Sequence, residues 1–167
     1  HGRLLQGDKQ VPDTPCRFAD PFMESLLVHL RPRIESACGL ELHPTYSYFR
    51  VYQHGDRLPR HTDRPSCEIS VTLTLSQEAD APWPIWLQSD GGAIAVDLAP
   101  GDGMLYKGME VPHWRESFAG RRQTQVFLHY VDRNVPCREW KFDKRAGPAT
   151  LPHVDAIMRK VLGVSDD

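Results

Sequence analysis

The chain has 167 residues, 40% of them hydrophobic and 25% charged, with 20 Lys and Arg against 22 Asp and Glu for a net charge of −2. That length suits a single domain, residues 1–167, with a core of its own; the charge balance excludes a broadly basic nucleic-acid binder. No apolar run approaches the roughly 18 residues of a membrane helix, so no membrane partner is expected.

The four cysteines, Cys16, Cys38, Cys67 and Cys137, are scattered, with no CxxC pair and no zinc-ribbon spacing. In a chain able to build its own core this usage predicts free thiols and a reducing, cytoplasmic setting. Residues 1–20 carry little pattern and, with Gly7, Pro12 and Pro15, suggest an extended or mobile entry segment. A helix is predicted to start at Asp20-Pro21, where Asp caps and Pro is tolerated in the first turn. Met23, Leu26, Leu27, Leu30, Ile34 and Ala37 continue it at helical spacing. Pro32 should break or kink that run, and Gly39 should end it.

From Thr45 the period changes. Tyr46 to Tyr52 is rich in aromatic and β-branched residues and predicts a strand; Gln53 to Asp56 reads as a turn. Glu68 to Leu75 alternates apolar and polar residues as a half-buried strand does. Shorter strands are expected over 84–88, 93–98, 103–106 and 123–131, separated by Gly- and Pro-containing turns. The stretch Thr150 to Leu162 reads as a helix, with Val154, Ile157, Met158 and Val161 on one side. The whole describes a mainly β domain, a sandwich or barrel core over about 45–132, with a supporting N-terminal helix and a short C-terminal one.

The candidate chemistry is metal binding. His-x-Asp occurs three times, at 54/56, 61/63 and 153/155, so the tripeptide alone proves nothing. Context separates them. Along a strand, residues i and i+2 share a face, so His61 and Asp63 can reach one ion. The 153/155 pair lies in the predicted helix, where i and i+2 point apart, and the 54/56 pair sits on a Gly turn. Only 61/63 is followed, some fifty residues on, by a histidine next to a β-run: His113. A rival, His129, lies among apolar residues and reads as a core histidine.

Two His and one carboxylate on a β-scaffold form the facial triad that holds non-haem Fe(II) and leaves positions open on the metal. An anionic co-substrate would need a basic residue on the last strand. Alternation lets only one of Arg121 and Arg122 point inward. Arg122 shares its face with Thr124, whose hydroxyl could reach the same carboxylate. Arg64, Arg115 and Trp114 flank the ligands and are candidates for substrate contact, with ion pairing or rim packing as the plainer account.

Arg50-Val51-Tyr52 before a Gly turn, His61-x-Asp63, His113 and a basic residue nine positions later together resemble the Fe(II)- and 2-oxoglutarate-dependent dioxygenases, in their prolyl 4-hydroxylase-like branch. The resemblance spans about Tyr46 to Asp132. It implies a double-stranded β-helix (a jelly roll, cupin-like) and O2-dependent hydroxylation of an unactivated C–H bond in a small molecule or peptidyl side chain, giving succinate and CO2. It also implies that ascorbate would support turnover. Carried over by position, His61, Asp63 and His113 are the iron ligands, Arg122 pairs with the distal carboxylate of 2-oxoglutarate, and Tyr52 lines the pocket. The branch often has a tyrosine where this chain has Leu58; Tyr46, Tyr48 or Thr124 would have to replace its hydrogen bond. Two other readings use the same ligands: a cupin-like metal-binding protein and a metal-dependent isomerase that takes no 2-oxoglutarate.

Overall fold

The computed structural model describes residues 5–151, 153, 154, 156, 157 and 160. Strands β1 (Leu5–Gly7) and β2 (Pro12–Phe18) lead into helix α1 (Pro21–Cys38). Then follow β3 (Leu42–Gln53), β4 (Leu58–His61), β5 (Ile69–Glu78), β6 (Ile85–Ser89), β7 (Gly92–Val96), β8 (Gly103–Tyr106), β9 (His113–Arg115) and β10 (Arg122–Asp132). The strands form two antiparallel sheets, ordered β1-β2-β3-β10-β5-β8 and β4-β9-β6-β7. From β3 to β10 the chain crosses between the sheets at every connection except the β6–β7 hairpin, and the result is a double-stranded β-helix, the jelly roll expected.

Asp20 caps α1 by accepting from the backbone N–H groups of Phe22 and Met23. Pro32 does not end the helix, which runs on to Cys38. Leu26, Leu27, Leu30 and Ile34 pack against the outer face of the large sheet, on Val126, Leu128 and Tyr130 of β10, and this burial outweighs the one backbone bond that proline removes. The fully buried Glu24 carboxylate accepts from Ser47 N (2.7 Å) and Ser47 Oγ (2.9 Å) and pairs with Arg145 (2.9 Å), fastening the segment after β10 to helix and sheet.

Because β10 is covered by α1 on one side and faces the barrel on the other, its even-numbered residues 126, 128 and 130 look outward to the helix. Gln123, Gln125, Phe127 and His129 look inward. On β3 the inward set is Tyr46, Tyr48, Arg50 and Tyr52. Of the segment read as extended or mobile, residues 5–18 form the β1–β2 hairpin that extends the large sheet. The four cysteines are free. No described helix is long and apolar enough to cross a membrane. Residues 153, 154, 156, 157 and 160 are helical and Val154 is buried, as expected, while Ile157 is exposed; Met158 and Val161 lie outside the described residues.

Candidate metal centre and its pocket

His61 ends β4 and His113 begins β9, and antiparallel pairing sets the two directly opposite each other. Their ring centroids are 4.3 Å apart. Asp63 lies just past the end of β4, fixed by its N–H donating to Gly108 O at 2.8 Å. Its Oδ1 is 3.5 Å from His61 Nε2 and 3.8 Å from His113 Nε2. All three donor atoms lie within 4.8 Å of one another, a spacing that one ion can span.

The surrounding hydrogen bonds decide which ring nitrogens are free. His61 Nδ1 lies 2.8 Å from Pro59 O, and His113 Nδ1 lies 2.9 Å from Val111 O. A carbonyl only accepts, so each Nδ1 carries the proton and each Nε2 keeps its lone pair toward Asp63. Ser70 Oγ lies 3.1 Å from Asp63 Oδ2 and 2.9 Å from His129 Nδ1, which makes His129 and Ser70 a relay supporting the carboxylate. Burial resists ionisation of Asp63, but the bond that His61 donates when its ring is protonated, and the charges that His129, His113 and His61 carry in that form, hold its carboxyl below the usual range. Burial lowers His113; His61 is also desolvated, but its bond to Asp63 raises it. Complete burial pushes His129 down to about 4, so at neutral pH it is a neutral donor.

Gly108 was not singled out in the sequence. A Cβ there would sit 2.4 Å from Asp63 Oδ2 and from Cys67 O, so only glycine lets the β8–β9 loop approach the carboxylate this closely. Asp63, Cys67 and His129 form a second set with metal-binding spacing, sharing the same aspartate. Burial raises the Cys67 thiol to about 12, and it sits 3.0 Å from Tyr46 Oη.

The triad opens into a pocket with Leu58 and Phe127 as apolar wall and Tyr46, Tyr48, Arg50 and Tyr106 as polar wall. The β1–β2 turn overhangs it: Asp8 bonds Arg50 Nη2 and accepts from Tyr48 Oη at 2.7 Å. Tyr106 Oη is 3.5 Å from His113 Nε2. Tyr52 is fully buried behind this wall and accepts from Arg50 Nη1 at 3.2 Å, so it supports the pocket without lining it.

Several expected contacts are corrected. Arg122 is exposed at the start of β10, and Thr124 shares its outward face; neither borders the pocket. The inward position beside them is Gln123. Both faces of β10 are buried over most of its length, so the sequence pattern does not show which face is the interior. Arg64 is spent on Asp143, with two 2.9 Å bonds, and stacks over Tyr46 from outside. Trp114 points away from its neighbour His113 and stacks on Trp86, 6.2 Å between centroids. Arg115, two residues beyond His113, shares its inward face and is 1% exposed. Its Nη1 donates to Trp83 O and its guanidinium lies 4.8 Å from the Trp83 ring, while Nε and Nη2 have no partner. Of the other His-x-Asp triplets, Asp56 serves its own turn, accepting from Gln53 N and Thr14 Oγ1; Asp155 lies outside the described residues.

The double-stranded β-helix resembles those of solved 2-oxoglutarate/Fe(II) oxygenases. A Pseudomonas putida prolyl-4-hydroxylase is 21% identical with TM-score 0.60, over 78% of each chain. An oxidoreductase of the 2OG-Fe(II) oxygenase family from Burkholderia pseudomallei is 15% identical with TM-score 0.63, over 79% of this chain and 73% of that one. The non-haem α-ketoglutarate-dependent epimerase SnoN, from nogalamycin biosynthesis, is 13% identical with TM-score 0.66, over 88% and 74%. No family model and no curated protein matches the chain. At these identities the likeness is one of fold.

Proposed function

We propose that the chain is an Fe(II)- and 2-oxoglutarate-dependent oxygenase that hydroxylates an unactivated C–H bond in a small molecule or a peptidyl side chain. The observation that carries this reading is the donor set. Two imidazole Nε2 atoms and one carboxylate oxygen converge within 4.8 Å, and each Nδ1 is turned away onto a backbone carbonyl. Such a set suits Fe(II) and leaves coordination positions for other ligands. Bound there, iron and 2-oxoglutarate supply the oxidation of a C–H bond by O2, with succinate and CO2 as by-products. The chain's own part is to hold and exclude. His61, Asp63 and His113 would hold the metal, and Ser70 with neutral His129 keeps Asp63 ionised and oriented. Leu58 and Phe127 keep bulk water from the wall opposite the polar residues. The similarity to a prolyl hydroxylase and to an epimerase of one fold supports the co-substrate class more than any particular substrate.

The test is anaerobic titration of the Fe(II)-loaded protein with 2-oxoglutarate, followed by the weak visible charge-transfer band of the chelated 2-oxo acid. The band appears in wild type and is lost, with the metal, in His61→Ala. Metal binding without the band would turn the reading to a cupin-like metal protein or a metal-dependent isomerase. Failure to bind metal overturns it.

A further inference from the structure

The proposed co-substrate carries a second carboxylate, and β10, the strand expected to meet it, turns only Gln123, Gln125, Phe127 and His129 inward. We propose that Arg115, on β9 beside the metal ligand His113, binds this distal carboxylate, so that the pocket selects a five-carbon 2-oxo diacid. The inference rests on the oxygenase reading and gives it a residue that the sequence assigned to another strand.

Three observations carry it. First, the Arg115 guanidinium is withdrawn from solvent without a counter-charge. No carboxylate among the described residues lies within 4.0 Å of it, and Nε and Nη2 are both unpartnered. A buried cation with idle donors is costly unless an anion completes it. Second, the distance is right. Arg115 and His113 share one face of β9 and stand two strand residues apart, about 7 Å, comparable with the reach of a five-carbon chain chelated to metal at one end. Third, two lining residues join the places: Leu58, paired with Arg115 across β4 and β9, and Tyr106, whose hydroxyl is 3.5 Å from His113 Nε2, both border the pocket, while Arg115 itself lies just behind that lining.

The other inward arginine does not compete. Arg50 is already paired with Asp8, bonded to Tyr52 Oη and stacked at 5.4 Å on Tyr48 and on Tyr52. Guanidinium offers a planar pair of donors to a carboxylate, and on Arg115 the two idle nitrogens are Nε and Nη2, one edge of that fork.

The experiment is calorimetric titration of the Mn(II)-loaded full chain with 2-oxoglutarate and with 2-oxopentanoate, which has the same five carbons and 2-oxo acid group but no distal carboxylate. Wild type prefers 2-oxoglutarate by roughly 100-fold, the scale of a desolvated charge pair. Arg115→Met and Arg115→Gln bring that ratio close to one by weakening 2-oxoglutarate alone, with Mn(II) and 2-oxopentanoate binding kept. Arg122→Ala keeps the wild-type ratio. A ratio retained in either uncharged Arg115 variant, or lost in Arg122→Ala, overturns the assignment. Equal binding of both acids by wild type also overturns it. Binding of neither acid to protein that holds Mn(II) refutes the oxygenase reading instead.

Discussion

At the mouth of the barrel, every donor of the candidate metal cluster is held from behind. His61 and His113 rest on carbonyls, and Asp63 is braced by Ser70 and by the Gly108 loop. Deeper along β9, behind the pocket lining, the floor is Arg115, with Trp83 on one face and nothing on two of its nitrogens. The first region is braced on every donor by neighbouring groups; the second holds a charge that no described acid offsets. Preorganised donors at one end and an uncompensated cation at the other are what a bidentate, charged co-substrate requires.

The largest way to loosen the held end is acid. His129 is fully buried, with a folded-state value of about 4 against 6.5 when free. The unfolded chain therefore takes up a proton as pH falls below 6.5 and the folded chain does not, so stability is full above that pH and is lost on the way down to about 4. One group displaced by this much is worth about 3 kcal/mol across the window. Urea denaturation of metal-free protein at pH 7.5 and at pH 4.5 should show the loss, and His129→Gln should flatten it. An equal slope in the variant would assign the acid sensitivity to another group. A smaller effect is expected from Gly108→Ala. Its methyl group would overlap Asp63 Oδ2 and Ser70 Oγ, costing about 2 kcal/mol of stability. Because the strain falls on a ligand, Mn(II) affinity should drop as well. Unchanged metal affinity would show that Asp63 is not fixed by this loop.

The sequence showed the held end well and the floor hardly at all. The convergence of His61, Asp63 and His113 was legible because side chains able to hold a metal are few in type and here sit at strand ends, next to turn residues that mark those ends. The strands of the core were legible from alternation, and β8 was found at its bounds. β4 and β9 were not, being three or four residues long and rich in Pro, His and Arg. That omission hid the cross-strand pairing that joins the two histidines. Inward and outward could not be told apart on β10, where Val126 and Leu128 face α1 while Phe127 faces the pocket. Arg122 was therefore read as inward, and the burial of Arg115 went unseen because it depends on the register of a three-residue strand. Asp8 and Gly108 were missed because their roles are contacts across long sequence separations, with no local pattern to announce them.

The two inward arginines sharpen the contrast most finely, since both are buried and only one is balanced. Arg50→Met removes a paired guanidinium and leaves the Asp8 carboxylate with Tyr48 and backbone donors only, so metal-free protein should lose about 1–2 kcal/mol. Arg115→Met removes a bond to Trp83 O and a ring contact, but it also removes a charge that nothing offsets. Those contributions oppose each other, and the variant should stay within about 1 kcal/mol of wild type or exceed it. Urea midpoints of the two variants, compared without metal, therefore move apart. Adding Mn(II) with 2-oxoglutarate should reverse their order, because ligand binding stabilises only the folded chain that can still bind it. Should Arg115→Met instead cost about 3 kcal/mol or more without ligand, the guanidinium is a clamp for Trp83 and the floor is as self-sufficient as the mouth.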